Sequence, residues 1–217
     1  MDKKQNTVLY LEQCSYWSVM GIQERKIREK ENLRKLIVAS AHEILMKEGL
    51  NGLTMRVIAN HIEYSQSKIY EFFASKDQLC ETLCQEHCEK LLEILQKIQD
   101  KVSPEKYLSN LITKTMEYHA SNPHSDTLLT LVCFGPERFH VPEAFLQIEK
   151  RFVGALKNLK SPHMKTPTDL LASLDIIRCL FIGVSNLMVS ETSQKGKTRG
   201  LEITENALKV LLRGWKT

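Results

Sequence analysis

Between Thr54 and Leu79 the chain reads as two short helices joined by a tight turn, with the start of a third helix directly behind them. Thr54 stands where its hydroxyl can accept from the open amides of a first helical turn, and Ile58, Ala59 and Ile62 give that helix an apolar side. Ser65 is an N-cap for a second helix, whose Ile69 and Phe73 lie four residues apart on one face and point inward. This is the spacing of a helix-turn-helix. Its second helix offers its first turn, Gln66, Ser67 and Lys68, to a major groove, so the expected partner is double-stranded DNA.

The charge balance neither argues for this nor against it. A net charge of +4 over 217 residues means that the case for DNA rests on where charges sit. Arg25, Lys26, Arg28, Lys30, Arg34 and Lys35 crowd the start of the first long helix, diluted by Glu24, Glu29 and Glu31, a mixture that suits a solvated helix face as well as an arm tracking phosphates. With 42% hydrophobic residues the chain has material for a real core. Residues 1–23 carry Val8-Leu9-Tyr10-Leu11 and Tyr16-Trp17-Ser18-Val19-Met20, interrupted by Glu12 and Gln13. This stretch is too short and too polar to span a bilayer and no small-residue cleavage site follows it, so the expectation is a poorly ordered extension on a cytoplasmic protein that makes no membrane contact.

Helix signals continue to the C-terminus. Gly49 stops the first long helix, and Asn51-Gly52 turns into Thr54. Ser75-Lys76-Asp77-Gln78 is a capping-box pattern that launches a helix expected to run to about Lys101. Ser103-Pro104-Glu105 opens another, ending at Asn122-Pro123. Further helices are expected near 126–134, 142–159, 169–191 and 201–215. No convincing strand appears, which makes the fold all-α. The stretch from Ile176 to Val189 is apolar on most sides and must be covered on more than one face. With Ile203, Ala207, Leu208, Leu211 and Leu212 it is the candidate for a four-helix interface in a homodimer, because a palindromic operator needs two recognition helices.

The set Ile37-Val38, Ser40-Ala41, Ile44-Leu45, Gly49, Thr54, Arg56, Ile58-Ala59, Ser65, Ile69-Tyr70, Phe73, Ser75-Lys76 and Leu79 resembles the DNA-binding domain of TetR-family repressors. Tyr118-His119 followed by Asn122-Pro123 resembles, more loosely, a step in that family's effector-binding and dimerisation domain. The resemblance implies a helix-turn-helix head at 24–75, a helical ligand-binding and dimerisation domain at 76–217, and a repressor released from its operator by a small-molecule effector. It also implies DNA contacts from Thr54, Arg56, Ser65, Gln66, Ser67, Lys68, Tyr70 and Lys76. The turn position usually held by glycine in that family is Glu63; a positive φ there costs a non-glycine residue on the order of 1 kcal/mol, so the turn is expected to be either slightly strained or differently shaped. Tyr118, Cys133, Phe134, Phe152 and Phe181 are the candidates to line an effector cavity, and their aromatic character points to an apolar or aromatic ligand.

Other chemistry is weakly represented. There is no phosphate-cradling glycine loop, nucleophile elbow or HExxH arrangement, so no catalytic residue, metal ligand or cofactor is assigned. Cys80, Cys84 and Cys88 recur at i, i+4 and i+8 with His87 beside them, a stripe that would suit a thiol- or metal-responsive regulator. The stripe continues as Leu91 and Leu95, so core packing is the favoured reading. His119, His124, His140 and His163 fall at helix ends or loops, where an isolated histidine is usually a surface or capping residue.

Overall fold

The computed structural model describes residues 3–135, 139–190 and 194–215, with the side chains of 3–21, 190 and 194 left outside that description. Among the described residues there are nine helices and no strand: α1 (Lys3–Gly52), α2 (Met55–His61), α3 (Gln66–Tyr70), α4 (Lys76–Gln96), α5 (Pro104–Ser121), α6 (Pro123–Phe134), α7 (Glu143–Asn158), α8 (Pro167–Ser190) and α9 (Gln194–Gly214). The fold is all-α, as expected. The side chains of the expected N-terminal extension at 1–23 lie, apart from Ile22 and Gln23, outside the described residues.

Each boundary has a local cause. Gly49 takes φ 69°, breaking the regular turn of α1 where the sequence predicts its stop. A Cβ there would also come within 3.3 Å of the His124 ring, so glycine allows both the turn and the approach of α6. The hydroxyls of Thr54, Ser65, Ser75 and Ser103 each accept from the amide three residues on, opening α2, α3, α4 and α5. Helix α4 ends at Gln96, about a turn earlier than the sequence suggests, and α9 begins at Gln194, two turns before Leu201. No strong stop or start residue marks either point, and tertiary packing decides them.

One apolar core runs through the described residues. In the head, Ile37, Ala41, Leu45, Leu53, Ile58, Ile69 and Phe73 are buried between α1, α2 and α3. Leu79, Leu83, Cys84, Cys88, Leu91 and Leu95 carry the same core down α4 into the body, where Leu108, Leu111, Ile112, Phe152, Leu156 and Ile177 join it. Helix α4 packs on α1, α5, α6 and α7, so it is the central member that links head and body. The cysteine stripe is therefore core, and Cys80, Cys84 and Cys88 are all at most 1% exposed.

Helix α8 behaves differently. Pro167–Val189 has the length and apolarity of a membrane span by composition, yet it packs against α5, α6, α7 and α9. Its packed side carries Leu170, Leu174, Ile177, Val184 and Met188. The other side leaves Leu171, Ile176 and Leu187 about half exposed, and Val210 of α9 is 68% exposed. Among the described residues this side of α8 and α9 is therefore an apolar surface open to solvent.

Candidate nucleic-acid interface and effector cavity

The head is assembled from short helices that need their caps. Thr54 Oγ1 accepts from Val57 N at 3.1 Å and Ser65 Oγ from Lys68 N at 3.2 Å. Between them Glu63 holds φ 59°, the left-handed conformation expected at this turn. Ile69 and Phe73 are completely buried, which anchors α3 by one face and turns Gln66, Ser67 and Tyr70 outward. The guanidinium of Arg34 sits 4.5 Å from the centre of the Phe73 ring, covering the outer side of that anchor.

Of the eight residues with expected DNA contacts, Thr54, Arg56, Ser65, Gln66, Ser67 and Tyr70 are exposed at one end of the molecule. Thr54 and Ser65 have their hydroxyls engaged as caps. Lys68 is partly covered, with its ammonium 2.5 Å from Glu71 and 5.9 Å from the Phe72 ring centre. Lys76 differs most from a free surface cation: its ammonium donates to the carbonyl oxygen of Leu50 at 3.0 Å, tying the first turn of α4 to the last of α1. Beside it Gln78 N donates to Ser75 Oγ at 3.1 Å, the first bond of a capping box, while Gln78 Oε1 accepts from Ala74 N at 2.7 Å, one residue ahead of the cap amide that the standard box would use.

The body contains a narrow cavity of about 60 Å³ between α4, α5, α6, α7 and α8. Phe134, Phe145, Phe152, Phe181, Leu174 and Ile177 make its apolar wall. Polar groups interrupt that wall, Thr130 and Ser185 among them. Thr115, His119 and Asp126 face it from α5 and α6, while Glu149 and Arg178 form an ion pair on α7 and α8. Arg178 also reaches Asp175 at 2.6 Å; burial opposes the charge of its guanidinium, but the two carboxylates raise its pKa and keep it ionised. Of the five candidate effector residues, Phe134, Phe152 and Phe181 line this cavity. Tyr118 and Cys133 do not.

Both exceptions have other partners. The Tyr118 hydroxyl is 3.2 Å from His87 Nδ1 and donates to the His87 carbonyl oxygen at 3.2 Å. Cys133 turns toward Cys84 and Cys88, whose thiols donate to it and lower its pKa to about 5, against the opposing effect of burial. The Cys84 and Cys88 thiols are pushed up by their hydrogen bonds with Cys133 and by burial. Stripe and α6 thus form a three-thiol cluster that spacing along α4 alone could not reveal.

His119 is the clearest correction to the sequence reading. It is 3% exposed rather than a surface or capping residue, contacts Asp126 through Nδ1, and stacks on Phe181 with ring centres 5.7 Å apart. Burial works against ionisation of Asp126, but His119 and then His87 outweigh it and bring its pKa down to about 2. His124, His140 and His163 remain partly or fully exposed, and His140 pairs with Glu81 at 3.1 Å. Sequence reasoning missed Asp126, Glu149 and Arg178 because they come from three helices, and the His119–Asp126 pair spans the helix break at Pro123.

A capped two-helix unit on a helical body with an internal cavity defines the class of fold, that of the helix-turn-helix regulators. Residues 37–83, which make up most of the head, match the family model described as bacterial regulatory proteins, tetR family. The whole fold is similar to that of solved TetR-family structures. A regulatory protein of this family from Rhodococcus RHA1 is 21% identical, with a TM-score of 0.62 over 84% of this chain and 96% of that one. BioQ solved with its natural double-stranded DNA operator is 18% identical, with a TM-score of 0.59 over 81% and 96%. A TetR variant from Acinetobacter baumannii AYE in complex with minocycline is 16% identical, with a TM-score of 0.62 over 82% and 93%. A comparison with curated proteins finds no match.

Proposed function

We propose that the chain is a cytoplasmic, homodimeric repressor that holds a palindromic operator through α3 and releases it when a small effector enters the cavity of the body. The observation that carries this reading is the position of α4, whose first turn is fastened to the head and whose middle passes the cavity. Two states of such an element can be biased by a ligand that binds one of them better. The half-exposed apolar sides of α8 and α9 are the proposed dimer interface, two helices from each subunit. The aromatic wall suits an apolar or aromatic effector, with Arg178, His119 and Asp126 available to orient its polar groups.

Recovery of genomic fragments bound by the purified protein tests this reading. An inverted repeat among them, retarded as a complex of two chains and released by one class of aromatic compound, is the expected result; indifferent binding to all DNA would overturn it. The three-thiol cluster favours a second reading, in which oxidation of Cys133 with Cys84 or Cys88 controls the operator complex. Diamide treatment before the same gel-shift separates the two.

A further inference from the structure

His87 on α4, His119 on α5 and Asp126 on α6 bring three donor atoms within 4.8 Å of one another, and all three residues are buried. His87 is 5% exposed, His119 3% and Asp126 5%. We propose that these residues form a binding site for one divalent first-row transition ion of the zinc class, ligated by His87 Nε2, His119 Nδ1 and the Asp126 carboxylate. Two imidazoles and one carboxylate are the donor set that suits such ions, and three protein ligands leave a position open.

The hydrogen bonds around His87 carry the argument. The Tyr118 hydroxyl has one proton, and it donates that proton to the His87 carbonyl oxygen. At His87 Nδ1, 3.2 Å away, the same hydroxyl must then act as acceptor, so the ring proton sits on Nδ1 and Nε2 keeps its lone pair. That bare nitrogen looks at Asp126 Oδ1 from 3.7 Å, and it has no hydrogen-bond partner among the described residues. Asp126 Oδ2 is likewise buried without a partner. Two acceptors facing each other in an apolar interior are poorly matched unless a cation lies between them. A histidine that gives its other ring proton to a neighbouring hydroxyl is also the usual arrangement behind a metal ligand.

The electrostatics agree with this geometry. Burial lowers the pKa of His87, which favours the neutral imidazole that a ligand must be. His119 and Asp126 border the cavity, whose volume of about 60 Å³ has room for at least a water on the open position. The site stands apart from the proposed DNA-binding role, because metal uptake is read on the protein alone.

Chelator-stripped protein titrated with cobalt(II), then back-titrated with zinc(II), tests the site. One equivalent of cobalt per chain should bind with the visible absorption of a four- or five-coordinate ion, and zinc should displace it. Asp126→Asn and His119→Gln should each weaken binding by at least about a hundredfold. Tyr118→Phe keeps the ring and its packing while removing the hydroxyl that fixes the His87 tautomer, so it should bind about tenfold more weakly with an unchanged circular-dichroism melt. Failure to take up stoichiometric cobalt, or equal affinity in the wild type and Tyr118→Phe, would overturn the proposal. So would a sulfur-to-cobalt charge-transfer band, which would assign the ion to the thiols of Cys84, Cys88 and Cys133 instead.

Discussion

Glu63 sits at φ 59°, and among the described residues its side chain makes no hydrogen bond or ion pair that would offset the strain. Glu63→Gly should therefore raise the thermal midpoint of the head, by a margin of less than about 1 kcal/mol because glycine also loosens the unfolded chain. A fall in the midpoint would mean that the glutamate has a stabilising partner. The position was marked in advance by the resemblance to a turn usually held by glycine, which left either slight strain or a different turn shape open, and the positive φ selects the first. Cys133 was not readable in the same way: its neighbours Cys84 and Cys88 lie far off in the chain, and only the packing of α6 on α4 joins them. The hydrogen bonds from Cys84 and Cys88 lower the Cys133 pKa, so its alkylation rate should rise less steeply between about pH 6 and 8 than the roughly tenfold per unit of an ordinary thiol. Cys84→Ala with Cys88→Ala removes both donors and should restore the ordinary slope, as followed by mass spectrometry of the modified peptide.

At the scale of single helices, α3 divides its duties by face. Ile69 fixes it to the core, while Gln66 and Lys68 project from its first turn, so Gln66→Ala or Lys68→Ala should relax base preference at a cost of about 1–3 kcal/mol per bidentate contact. Lys76→Ala removes instead the bond to the Leu50 carbonyl, so it should lower the thermal midpoint as well as operator affinity. Titrations of operator variants at several salt concentrations check the division; a change of preferred base in Lys76→Ala would refute the proposed docking. Helix α9 offers a separate check. A Cβ on Gly200 would lie 2.1 Å from Met188 Cε and 3.1 Å from Val184, so α9 meets α8 closely only because this position has no side chain. Gly200→Val should destabilise the body by about 1–3 kcal/mol in chemical denaturation. Caps and apolar periodicity made most helices visible in advance, whereas the close contact at Gly200 depends on which helices become neighbours, and periodicity does not specify that.

For the molecule as a whole, the uncovered sides of α8 and α9 lead to the expectation of a dimer at micromolar concentration by light scattering. Val210→Glu with Ile176→Glu should give monomers that keep the helical signal. The all-α architecture and the head were legible from short-range pattern, but the cavity was legible only in its aromatic wall. Its polar groups converge from α5, α6, α7 and α8, and no local spacing records that convergence. The fastening of Lys76 to Leu50, with the paired bonds of Ser75 and Gln78 beside it, has a mechanical consequence. It makes the junction of α4 with the head a weld and not a hinge. A shift of about 1 Å where α4 passes the cavity, within what packed helices accommodate, then reaches the reading helix with little lost to slack. Two such levers, set against grooves repeating every 34–36 Å or so, would need very little travel to fall out of register with their operator.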